Sequence, residues 1–207
     1  NTNGATHMGN DDNLIFSGIA HLKIIDVSCP NQLLGIMKWI MEGNKGLVYV
    51  RIMRAPAGVI YDSGFQFEFG RGYVLKENPD DQVVIISSGR GVHEALAAAG
   101  ELEKYGVKVG VVDMPSIDEK LLLDLYRSGK LLVVAEHNNG YIWAEYQKAI
   151  FKSKETIDTV RLLSINGLDA SGRPQFIHSA TYQELLQQFG LSPGQLAETI
   201  KQKLDGK

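Results

Sequence analysis

Four short stretches hold residues whose types and spacing could do chemistry. Gly4-Ala5-Thr6-His7-Met8-Gly9 sets an imidazole, which titrates near neutral pH, in a glycine-bounded segment with Asp12 three residues further on. By residue type alone His7 reads first as an exposed loop histidine near a chain end, and it is the surrounding Gly-x-Thr-His-x-Gly segment that favours a functional role. Leu47–Arg54 carries Arg51 and Arg54, planar forked donors that suit a carboxylate or a phosphate. On an ideal strand, residues three apart face opposite sides, so the two do not share one ligand, and Arg51 is read as half of a structural ion pair. Ser88-Gly89-Arg90-Gly91 lies where a strand gives way to a helix, a place where free amides and the helix dipole favour an anion. It lacks the G-x-G-x-x-G spacing of a dinucleotide fold, so it is read as a tight turn and no nucleotide is inferred. Glu136-His137-Asn138-Asn139-Gly140 ends a strand at the carboxyl edge of its sheet, the usual ligand side, and is read as an interface loop. Cys29, His21, His93 and His178 are read as structural or exposed.

The elements that must position these groups follow a strand–helix alternation. Val83–Ser87, Val107–Val112, Leu131–Ala135 and Val160–Ile165 read as strands, apolar on both faces. Between them lie helices, one reaching Tyr105, one opened by Ser116 and Glu119 at capping-box spacing, and one over Tyr141–Phe151. Two short helices close the chain, opened by Thr181 with Glu184 and by Ser192-Pro193 with Gln195. This pattern predicts a mostly parallel α/β sheet covered by helices on both faces. Upstream, Leu22–Val27, Asn31–Met41 and Leu47–Met53 form one further strand–helix–strand unit, too small to bury both its faces. Ala57–Leu75, with its glycines and alternating phenylalanines, reads as an extended connector and not as a strand of the next sheet.

Composition removes several function classes. The 44% apolar and 22% charged residues are those of an ordinary globular chain, and a net charge of -3 argues against nucleic acid or an anionic membrane as main partner. The apolar runs are too short to span a bilayer, and Asn1–Asn10 lacks the apolar core of a signal peptide. A single cysteine excludes an internal disulfide and a cysteine zinc cluster and suits a reducing cytoplasm. A chain that starts at Asn1 without a methionine and meets a motif at once is expected to be a fragment or a mature chain with sequence upstream.

Taken in order, several stretches resemble the transketolase family. Gly4–Gly9 resembles its glycine-x-threonine-histidine segment, although Asn3 stands where the family commonly has an acidic residue. Leu22–Pro30 and Leu47–Arg54 resemble the last strands of the pyrimidine-binding domain. Phe69–Gly72, Val83–Gly89, Val111–Met114 and Val133–Gly140 resemble the connector and the strands of the C-terminal domain. The resemblance implies residues 1–56 as a partial pyrimidine-binding domain, 57–79 as connector and 80–207 as the C-terminal domain. It implies a thiamine diphosphate enzyme, with magnesium, whose cofactor cleaves a ketose and passes a two-carbon unit to an aldose.

On that resemblance His7 would hydrogen-bond the substrate's hydroxyl or oxyanion, and Arg54 would clamp the phosphate of a sugar phosphate. The diphosphate domain and the ylid-forming glutamate lie outside this chain, so none of its residues is expected to hold the cofactor. The partner would be a second copy in a homodimer or a separate diphosphate-binding subunit. Close alternatives are 1-deoxyxylulose-5-phosphate synthase and the β subunit of a 2-oxo acid dehydrogenase; from a different class, a non-catalytic interaction domain.

Overall fold

A computed structural model describes residues 9–53 and 56–206. Two parallel strands, β1 (Lys23–Asp26) and β2 (Val48–Arg51), flank helix α2 (Pro30–Met41), and the short helix α1 (Asp12–Phe16) precedes them. Proline at the first turn of α2 supplies no amide where none is needed. Ile25, Val27, Ile36 and Phe67 form the small core of this unit. Gly35 lets the connector settle on α2, because a Cβ there would come 2.9 Å from the Phe65 ring. Trp39 then packs edge-on against Phe67, with ring centroids 5.5 Å apart.

The second sheet has five strands in the order β3-β5-β4-β6-β7. They are β3 (Tyr73–Lys76), β4 (Val83–Ser87), β5 (Val109–Asp113), β6 (Leu131–Ala135) and β7 (Leu162–Ile165). The last four are mutually parallel, and every residue of β4, β5 and β6 is buried. Alternation divides their side chains between two cores. Val83, Ile85 and Val133 face helices α3 (Gly91–Glu103), α6 (Tyr182–Gln188) and α7 (Pro193–Asp205). Val84, Ile86 and Val134 face α4 (Glu119–Arg127) and α5 (Tyr141–Lys152). Each such side chain contributes ~1.5–3 kcal/mol on burial, so three doubly covered strands hold the sheet together. The expected α/β sheet with helices on both faces is what is observed.

Three local expectations are corrected. The stretch read as connector contributes β3, which pairs antiparallel with β5 through Tyr73↔Asp113 and carries a bulge between Val74 and Lys76. It is a four-residue, half-exposed edge strand, so it shows no apolar run. The capping box at Ser116 and Glu119 does not form. Asp118 is the N-cap of α4 and accepts the Leu121 amide at 2.9 Å, while the Ser116 hydroxyl accepts the Gly70 amide at 2.8 Å. Val160 falls in a single 3₁₀ turn, Thr159–Arg161, ahead of β7. By contrast, Thr181 and Glu184 do form a capping box on α6. Among the described residues, no helix is long and apolar enough to cross a membrane.

Candidate functional site at the carboxyl edges of the two sheets

The carboxyl ends of β1, β2, β4 and β6 meet, and a buried carboxylate lies at the meeting point. Parallel register sets Asp26 beside Arg51 at the ends of β1 and β2. Asp26 is 4% exposed, and its Oδ1 lies 3.2 Å from Arg51 Nη1. Its Oδ2 accepts the Ser88 hydroxyl at 2.8 Å and the Asn138 amide at 2.7 Å. Asn138 also donates to Ser88 Oγ at 3.1 Å. The Ser88 hydroxyl at this strand-to-helix turn therefore binds a carboxylate from within the chain. Gly89 is required there: its φ is +55°, and a Cβ would come 2.5 Å from Asp26 Oδ1.

Arg51 carries the contact onward to the segment that follows Gly4–Gly9. Its Nε and Nη2 donate to the Gly9 carbonyl at 3.3 and 3.0 Å, and its Nε lies 3.6 Å from Asp12 Oδ1. Burial opposes its charge, but the Asp26 and Asp12 carboxylates outweigh burial and raise its pKa. Tyr49 donates to Asp12, and Asn139 of the β6–α5 loop donates to Asp11. That loop is packed inside the chain: Glu136, Asn138 and Asn139 are all buried. Glu136 accepts the Ile142 and Trp143 amides at 2.8 and 3.0 Å, capping the start of α5. Burial pushes its carboxyl up to about 7. Burial also lowers His137 to about 4, so its imidazole is neutral at pH 7.

A second buried carboxylate fastens the connector. Asp113, at the end of β5, accepts from Tyr61 (2.7 Å), Ser28 Oγ (2.8 Å) and Gln32 Nε2 (2.8 Å) through one oxygen. His93 Nε2 meets the Ser28 carbonyl at 2.8 Å, so His93 is structural, and Cys29 is buried. Complete burial raises Asp113 to about 7, although its three donors act in the opposite direction. The folded chain therefore keeps protons on Asp113 and Glu136 that the unfolded chain releases. Stability from both groups is fully present below the ordinary carboxyl pKa of about 4 and is lost as pH rises through about 7. His137 has the opposite sign: its contribution is present above 6.5 and is lost as pH falls through about 4. Asp113→Asn is expected to remove a fall of roughly 2 kcal/mol between pH 5 and pH 8, measured from urea midpoints. An unchanged pH slope in that variant would rule out this carboxyl as the source.

Of the residues singled out in the sequence, Arg51, Ser88, Glu136 and Asn138 converge here, while His7 and Arg54 lie outside the described residues. Asp26 and Asp113 were missed. A charged residue ending an apolar strand, as in Leu22–Val27, was the available signal for Asp26.

Residues 72–196 match the family model described as "Transketolase, C-terminal domain". A human transketolase is 32% identical over 168 residues, which is 78% of this chain and 25% of that protein. An uncharacterized transketolase family protein of Sinorhizobium fredii is 28% identical over 207 residues, 98% of this chain and 58% of that one. Among solved structures, a split gene transketolase described as an inactive β4 tetramer superposes with a TM-score of 0.81 at 25% identity. That match covers 98% of this chain and 64% of the other. A transketolase of Pichia stipitis, 18% identical, shares the fold with a TM-score of 0.73, covering 98% of this chain and 28% of that one. The chain spans about a quarter of the length of the mammalian transketolases it matches.

Proposed function

The chain belongs to the transketolase family, and from that premise we propose that it supplies the C-terminal domain and one edge of the active site of a thiamine diphosphate-dependent transketolase. The whole enzyme would pass a two-carbon ketol unit between sugar phosphates. In this reading residues 1–56 are the end of the pyrimidine-binding domain and 80–207 the C-terminal domain. Residues 57–79 cross between them and lend β3 to the sheet.

The observation that carries the reading is where the segment after Gly4–Gly9 is held. Gly9, Asp11 and Asp12 are pinned by Arg51, Asn139 and Tyr49 at the carboxyl edge of both sheets, the side on which open α/β folds bind ligands. His7 precedes Gly9 by two residues and would donate or accept at the substrate's reacting hydroxyl. Arg54, three residues past Arg51, would take the sugar's phosphate in a forked pair of hydrogen bonds. Arg54→Ala is therefore expected to raise KM for phosphorylated substrates about tenfold or more and leave KM for unphosphorylated ones nearly unchanged. Equal effects on both substrate types would remove the phosphate role.

The cofactor does not fit the described residues. Among them no three His, Cys, Asp or Glu side chains converge on a metal position, and the buried carboxylates Asp26 and Asp113 are taken up by donors of the chain itself. On the family resemblance, the diphosphate and its magnesium would be held by another polypeptide or by another part of a longer one. The likeness to a split gene transketolase favours a separate diphosphate-binding subunit as that partner.

That same neighbour, described as an inactive tetramer, also supports a second reading, an interaction domain without catalysis. The two separate in one assay: the full-length protein, paired with a diphosphate-binding subunit and supplied with thiamine diphosphate and magnesium, is tested for ketol transfer. Turnover supports the enzyme, and its absence in a stably assembled complex leaves the interaction domain. Calorimetry on the 207-residue chain alone is expected to give no tight binding of thiamine diphosphate.

A further inference from the structure

Residues 9–12 are gripped more heavily than a surface segment requires. The Gly9 carbonyl takes two guanidinium N–H groups from Arg51, Asp12 is held by Tyr49 and Arg51, and Asp11 is held by Asn139. These anchors come from both α/β units, since Arg51 ends β2 while Asn139 follows β6. They are themselves fixed. Arg51 is paired with Asp26, which Ser88 and Asn138 lock to the ends of β4 and β6. Asn139 adopts φ +46°, a left-handed conformation that asparagine tolerates better than most residues. Gly167 leaves room for its carbonyl, since a Cβ at that position would come 2.5 Å from Asn139 Oδ1.

We propose that Asn139 is a positioning residue: through Asp11, and together with the Asp26–Arg51 pair, it fixes the point from which the segment bearing His7 departs. The five-stranded sheet would then aim a group of the other α/β unit without itself touching substrate. This rests on the reading of His7 given above. Catalytic geometry is unforgiving, and a displacement of about 1 Å can cost on the order of 100-fold in rate. Release of the anchor is thus expected to appear in kcat.

The test uses the full-length protein assembled with its diphosphate-binding partner. Asn139→Gly keeps the left-handed backbone and removes the amide, while Asn139→Asp sets a carboxylate against Asp11. The double variant Asn139→Asp with Asp11→Asn restores a hydrogen bond with donor and acceptor exchanged. Both single variants are expected to speed hydrogen exchange of the Gly9–Phe16 amides about tenfold or more, with β4 and β6 unchanged. They are expected to lower kcat roughly ten- to a hundredfold at nearly constant KM, and the double variant to recover much of both. Unchanged exchange, or faster exchange with unchanged kcat, overturns the positioning role even in an active enzyme. A wild-type complex without ketol transfer overturns the functional reading instead, whatever the exchange shows.

Discussion

Asp26→Ala is expected to destabilise the chain by about 3–5 kcal/mol, because it leaves a partly buried cation and two buried donors without their acceptor. Asp26 is 4% exposed, and Arg51, Ser88 and Asn138 all converge on it. Arg51 keeps the Gly9 carbonyl and Asp12 as partners, which places the cost at the lower end of that range. Asp26→Asn preserves shape and one acceptor but presents an amide where donors already point. It is expected to cost less than alanine while still exceeding a surface substitution. The loss is also expected to be uneven. The α2 unit has a two-stranded sheet and a four-residue buried core, so its stability depends on docking. Trp39 lies on α2 and Trp143 on α5, and these are the two tryptophans of the chain. In Asp26→Ala, urea unfolding reported by Trp39 is expected to precede that reported by Trp143, with each isolated by replacing the other with phenylalanine. Coincident transitions within about 1 kcal/mol of wild type would mean that the junction is solvated and carries little energy.

The parts of the fold that were legible are those whose physics is local. Val83–Ser87 and Leu131–Ala135 are read to the residue, because a strand buried on both faces is a continuous apolar run bounded by turn residues. Thr181 with Glu184 is likewise a contact between neighbours and forms as read. Ser116 has the same spacing to Glu119, but the Gly70 amide, 46 residues away in sequence, captures its hydroxyl. The edge strand β3 exists only through its pairing with β5, which local pattern does not encode. The candidate site divides in the same way. The tight strand-to-helix turn at Ser88–Gly91 was legible, whereas the carboxylate bound by its Ser88 hydroxyl was not, since Asp26 lies 62 residues from Ser88 in the chain. The strand ending in Asp113 was read one residue short, which moved the carboxylate into a loop and hid its contact with Tyr61. Long-range pairs of buried polar groups are chosen by the fold after the apolar pattern has built it. The residues that tie the two units together were therefore the least readable.

His7→Ala in the assembled enzyme is expected to lower kcat by roughly 100-fold or more, with a smaller change in KM. The expectation follows from residue chemistry and from the anchoring of its neighbours. An imidazole can exchange a proton with a hydroxyl near neutral pH, and a hydrogen bond to developing oxyanion charge is worth more in the transition state than in the ground state. Gly9, Asp11 and Asp12 are held against two sheets, and such immobilisation costs chain entropy that a loop histidine without a task would not require. His7→Asn separates two contributions, since an amide keeps a hydrogen bond but cannot titrate. If hydrogen bonding dominates, asparagine recovers much of the lost kcat. If proton transfer dominates, asparagine behaves like alanine and the variant loses the limb of the kcat/KM–pH profile that falls near the imidazole pKa. Asn3, four residues before His7 in the sequence, stands where the family commonly has an acidic residue and brings no charge to this segment. Asn3→Asp is accordingly expected to move that limb to higher pH, because a nearby carboxylate favours the charged imidazole. Wild-type kcat in His7→Ala would remove His7 from the site and leave Arg54 as the sole substrate contact proposed for this chain.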